Sequence, residues 1–98
     1  MKVNWTDRAK TRLRLIHEYI AADAPIVANQ VVERLVNRSR QIAELPYSGR
    51  AVPEFQRTDV RELLERPSRI IYRIMPDRID ILTVLHYRQL LPHDLRNQ

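Results

Sequence analysis

Apolar residues recur along this chain with two different periods, and the change of period divides it into a helical half and a strand half. Ala9, Leu13, Ile16 and Ile20 follow the three-to-four-residue spacing of one helix face, while Arg8, Lys10, Arg12, Arg14 and Glu18 fall on the opposite side. Thr6 or Asp7 supplies a side-chain oxygen to cap that helix, after a short extended start at Lys2 to Trp5. Asp23-Ala24-Pro25 then breaks one helix and starts the next, with Asp as cap and Pro in the first turn. Ala28, Val31, Val32, Leu35, Ile42 and Leu45 form the apolar side of this second helix until Pro46 stops it, so the two helices are expected to form an antiparallel hairpin.

Beyond Pro46 the period falls to two. Val60 to Glu65, Arg69 to Met75 and Ile79 to Tyr87 are apolar β-type runs separated by Arg66-Pro67-Ser68 and Pro76-Asp77-Arg78, the punctuation of consecutive antiparallel strands. In the middle run Ile70, Tyr72 and Ile74 share one face, expected to meet the helices, and Arg69, Ile71, Arg73 and Met75 share the outward one. Strict alternation in the last run groups Ile79, Ile81, Thr83 and Leu85 against Asp80, Leu82, Val84 and His86, apolar enough on both faces for a central strand. Pro46 to Asp59 reads as one long irregular connection, a length often reserved for function. The fold class is therefore α+β: a short N-terminal strand, a helical hairpin and a three-stranded antiparallel meander, in a single domain over residues 1–98.

Charge alters this picture more than composition does. Of the 17 basic residues only Lys2 and Lys10 are lysine, against 12 acidic residues, for a net charge of +5. Arginine makes bidentate contacts with carboxylate and phosphate, so the excess suits nucleic-acid or acidic-protein partners. With no cysteine there is neither a disulfide nor a thiolate metal site, and His17, His86 and His93 form no helical metal pair; no metal or cofactor is expected. One glycine cannot build a phosphate cradle, and Ser39, Ser48 and Ser68 lack the context of an activated nucleophile. With no apolar leader and no run near the ~20 residues of a membrane span, the expected location is the cytoplasm.

Four segments in this order resemble the RelE/ParE superfamily of toxins from bacterial toxin–antitoxin modules: Gly49-Arg50-x-Val52-Pro53-Glu54, Arg61-Glu62-Leu63, Arg69-Ile70-Ile71-Tyr72-Arg73-Ile74 and Ile81-Leu82-x-Val84-Leu85-His86. The loop and the Arg-Glu-Leu run look most like the ParE branch, whose members poison DNA gyrase. That resemblance implies a type II toxin that traps gyrase on cleaved DNA by protein–protein binding and uses no catalytic residue. Its partner would be a ribbon-helix-helix, ParD-like antitoxin, and Arg61, Arg69, Arg73 and Arg88 would meet antitoxin or target. The RelE branch implies an alternative, a nuclease cutting messenger RNA on the ribosome. In its YoeB-like members the matching positions would make Glu54 the base, Arg69 the phosphate stabiliser, and His86 with Tyr87 the acid or orienting pair. The lysine-rich set of RelE itself is missing here. A third possibility is an antitoxin-binding module without toxicity.

Overall fold

A computed structural model describes residues 1–55, 57–86 and 89. The elements run β1 (Lys2–Trp5), α1 (Asp7–Ala21), α2 (Pro25–Glu44), a 3-10 turn (Pro46–Ser48), β2 (Arg50–Ala51), β3 (Val60–Glu65), β4 (Ser68–Ile74) and β5 (Arg78–His86). The strands form one five-stranded sheet in the order β1-β5-β4-β3-β2. The expected meander, β3 to β5, lies at its centre. The short start is the parallel edge partner of β5, so the sheet is mixed, and β2 within the expected irregular connection supplies the other edge.

Thr6 explains how the first helix and the sheet are joined. Its hydroxyl accepts from the Ala9 backbone N–H at 3.2 Å as the N-cap of α1, and donates to the Ile81 carbonyl of β5 at 2.6 Å. Beyond it Arg12 Nε donates to the Val84 carbonyl at 3.1 Å, so Arg12 belongs to the sheet edge rather than to the solvated helix side expected for it. At the second helix Pro25 opens the first turn as expected, but Ala24 is the cap residue and Asp23 makes no capping bond. Leu45, expected on the apolar side of α2, lies past its end and is exposed.

Both helices cover one face of the sheet. Ala9, Leu35 and Ile42 pack there on Ile70, Tyr72, Ile79, Ile81 and Val84, which confirms the expected face of β4. The parity of β5 is different. Leu82 is an extra residue between the pairs Ile71↔Thr83 and Tyr72↔Ile81, and this bulge reverses every later side chain. Val84 therefore joins Ile79 and Ile81 under the helices, and Leu85 turns to the far face. There Val52 and Phe55 of the β2–β3 connection cover Val60, Ile71 and Leu85 in a second small core. The face expected to point outward is thus roofed by the chain's own loop, which sets the fate of the arginines on it.

Candidate functional site

Arg69 lies on that far face of β4, and its side chain is only 6% exposed. It was expected to face outward; it does point away from the helices, but the β2–β3 connection buries it. A buried guanidinium needs acceptors for five N–H groups. Nε donates to Glu62 Oε2 at 2.7 Å, and one terminal nitrogen reaches Glu54 Oε2 at 3.0 Å and the Gln89 carbonyl at 2.8 Å. The other reaches Glu54 Oε1 at 3.0 Å and Glu62 at 2.6 Å. Burial disfavours the charged form, but the hydrogen bonds and charges of Glu54 and Glu62 outweigh it and hold the Arg69 pKa above its ordinary value. Glu62 is fully buried and also accepts from Arg50 Nε, whose side chain stays 64% exposed. The result is a chain of alternating charge, Glu54-Arg69-Glu62-Arg50, joining the loop to β4, β3 and β2.

The remaining predicted residues are dispersed. Arg61 pairs in register with Tyr72 and so lies on the helix side of β3, across the sheet from Arg69. Its Nε and one terminal nitrogen donate to the carbonyls of Thr58 and Gly49, both at 3.1 Å. Arg73 shares the far face and donates to Asp59 at 3.2 Å, next to the Arg57–Asp59 pair. The Arg57 hydrogen bond is the main reason the Asp59 carboxyl is held below its ordinary value; burial opposes it, and Arg73 adds to it. His86 pairs with Ser68 and lines a groove beside α1, so it sits on the helix side, opposite Glu54 and Arg69. Glu54 and Arg69 are brought together, while His86 is separated from them by the sheet. Tyr87 and Arg88 lie outside the described residues.

Sequence reasoning missed Glu62 and Tyr72 as organisers. Glu62 alternates with Val60 and Leu64 on the far-face parity of β3, and a carboxylate in an otherwise apolar register is a signal that a buried cation faces it. The buried Tyr72 hydroxyl accepts from the Gly49 backbone N–H at 3.0 Å and donates to the Pro46 carbonyl at 2.7 Å. A Cβ on Gly49 would collide with that hydroxyl and with the Glu62 carbonyl, so the chain's one glycine is required by close approach, at an ordinary negative φ of -73°.

The sequence of residues 3–91 matches the family model of the ParE toxin of type II toxin–antitoxin systems, parDE. The chain belongs to the ParE toxin family. It is 39% identical over 94 residues to the candidate toxin Y4kP of Sinorhizobium fredii, covering 96% of each chain. It is 30% identical to Toxin RelE2 of Caulobacter vibrioides, over 91% of this chain and 98% of that one. Among solved structures it resembles a chain of the chromosomal ParDE system from P. aeruginosa, with TM-score 0.75, 26% identity, and coverage of 88% and 95%. The Mycobacterium tuberculosis RelBE2 toxin–antitoxin complex shares the fold, with TM-score 0.56 at 20% identity over 87% and 95% of the two chains. This chain is accordingly a toxin of the type II class within the RelE/ParE superfamily.

Among the described residues an open groove of about 750 Å³ lies between α1 and the β3–β4 turn. Leu15, Ile16, Tyr19, Ile20 and Pro67 make its lining largely apolar, and Arg12 and His86 also line it. Glu18, also in the lining, is engaged by Arg14 at 3.3 Å. Among the described residues no cluster of His, Asp and Glu could hold a metal ion, and no helix is long and apolar enough to cross a membrane.

Proposed function

We propose that this toxin acts in the cytoplasm by binding DNA gyrase and stalling replication, without proton-transfer chemistry of its own, and that a ribbon-helix-helix, ParD-like antitoxin neutralises it. The observation that carries the mechanism is the separation of the residues a nuclease would need. A general base and acid must converge on one scissile phosphate, yet Glu54 is locked bidentately to Arg69 on the far face and His86 lies on the helix side. Arg69 is buried and turned to Glu54, Glu62 and the Gln89 carbonyl rather than to a site open to a phosphate. The likeness to the ParE branch supplies the target. A second reading, ribosome-dependent cleavage of messenger RNA, is favoured by the similarity to Toxin RelE2.

The antitoxin reading draws on the names of the related solved structures, which are toxin–antitoxin systems. Its seat is the groove beside α1, where an amphipathic segment would bury apolar side chains on Leu15, Tyr19 and Pro67 and set carboxylates toward Arg12. The deciding experiment offers purified toxin to gyrase with supercoiled plasmid, and separately to translating ribosomes. Gyrase-dependent plasmid cleavage, retained in His86→Ala, is expected. Message cut on the ribosome with gyrase untouched would overturn the proposal, and loss of that cleavage by the expected 10²–10⁴-fold in His86→Ala would establish the second reading.

A further inference from the structure

The fold fixes an aromatic ring at the surface with more care than an idle side chain needs. Tyr47, on the 3-10 turn after α2, is 63% exposed. The turn that carries it is clamped at both ends by one buried group, the Tyr72 hydroxyl, which holds the Pro46 carbonyl before Tyr47 and the Gly49 N–H after it. The Arg61 guanidinium covers one side of the ring, its central carbon 5.0 Å from the ring centroid. Arg61 is itself tied to the Gly49 and Thr58 carbonyls. A buried tyrosine, a sterically required glycine and an anchored arginine therefore hold one face of Tyr47 covered and leave the ring presented to solvent.

We propose that Tyr47 and Arg61 form a stacking platform for an unpaired nucleobase of single-stranded nucleic acid. Stacking on an aromatic ring combined with cations for the flanking phosphates is how single strands are bound without sequence readout. The cation is present in Arg61, which lies against the ring; Arg50 on the neighbouring edge strand is turned to the other face of the sheet, where Glu62 engages it. The carboxylates of the adjoining strands and loop do not oppose an anion, because Glu62, Glu54 and Asp59 are each engaged by arginine. The net charge of +5 favours the same partner. This goes beyond gyrase binding, since it gives the toxin a contact with nucleic acid in addition to its protein target.

The test is fluorescence anisotropy of a labelled oligothymidylate and of a duplex of equal length, at low salt, with the 98-residue chain. The wild type is expected to bind the single strand more tightly. Tyr47→Ala is expected to weaken that binding by about five- to a hundredfold while Tyr47→Phe keeps it, the loss expected when one base–aromatic stack is removed. Tyr47→Trp gives an independent readout, quenching of the new indole on addition of oligonucleotide. Thermal melts of Tyr47→Ala should match wild type because the side chain is exposed. Equal binding by wild type and Tyr47→Ala, or preference for duplex in both, would reduce the interaction to general charge and overturn the platform. Loss of gyrase engagement in Tyr47→Ala with oligonucleotide binding unchanged would assign the ring to a protein partner instead. A failed gyrase assay with the oligonucleotide results intact would overturn the proposed target and leave the platform standing.

Discussion

Arg69→Met tests whether the buried charge chain holds the far face of the sheet together. The substitution keeps much of the volume and removes the guanidinium that Glu54 and Glu62 share. Among the described residues Glu62, fully buried, is then left with Arg50, and Glu54, 10% exposed, loses its bidentate partner. Removing one member of a buried ion pair costs about 3–5 kcal/mol, because the remaining charge is neither hydrated nor paired. A chain of this size has a total stability of about 5–15 kcal/mol, so the variant sits near the edge of folding. With a urea m-value of about 1–2 kcal/mol/M, the midpoint should fall by roughly 2–4 M.

The charges themselves, however, are costly to bury, and a well-packed apolar replacement of a whole ionic cluster is often neutral or stabilising. The triple variant Glu54→Leu/Arg69→Met/Glu62→Leu should therefore recover most of the loss, leaving Arg50 hydrated at the surface. Arg73→Ala is the control. Arg73 is about one-third exposed, and Asp59 keeps Arg57 when it is gone, so the cost should stay within about 1 kcal/mol. Urea melts of the four proteins decide the matter. An Arg69→Met penalty no larger than that of Arg73→Ala would refute the argument from burial and pairing.

Other consequences follow from particular groups. Tyr72→Phe leaves the Gly49 N–H and the Pro46 carbonyl without their partner and should cost about 1–3 kcal/mol in denaturant melts, against about 3–5 kcal/mol for Tyr72→Ala. Burial raises the Tyr72 pKa above its ordinary 10.0, so its neutral form is the one the fold favours. Its contribution is complete below pH 10 and is lost as pH rises through the folded value, an alkaline limb that Tyr72→Phe should lack. Asp59 has the opposite sign: held below its ordinary 3.8, it contributes stability above that pH that disappears as pH falls through the lowered value, and Asp59→Asn should flatten that part of the acid melt. Antitoxin association should slow as salt rises and fall further in Leu15→Asp, measured by stopped-flow; indifference to both would move the interface away from the groove.

Local pattern carried much of this fold. The helical hairpin, the three central strands and the helix-side face of β4 were all legible, because amphipathic spacing and turn residues agree over those stretches. The failures share a cause. The bulge at Leu82 leaves no mark in a run that is apolar on both faces, so parity carried forward from Ile79 misassigned Thr83, Val84, Leu85 and His86. Asp23 looked like the cap of α2, but Ala24 occupies that position. Arg12 looked solvated by helical position, but the carbonyl of Val84 lies within reach on β5 beyond the stretch paired with β1.

The arginines were harder to read for a physical reason that bears on function. Density of guanidinium along a strand says nothing about which groups are already neutralised, and that depends on a loop whose docking is long-range. Once Val52 and Phe55 seat the loop, Glu54 reaches Arg69 and the most conspicuous cation of the sheet becomes internal. Arg61, one strand away, points to the other side and is anchored by carbonyl oxygens and an aromatic ring, with no carboxylate paired to it among the described residues. The same residue type on adjacent strands thus does two unlike things: Arg69 closes the fold, and Arg61 leaves positive potential at the surface beside an exposed ring. A target contact built from arginine belongs with the second kind. The proposed separation predicts that Arg61→Ala weakens binding to an anionic partner at little cost in stability, whereas Arg69→Met removes binding only in proportion to the fraction unfolded; equal losses per folded molecule in the two variants would contradict it.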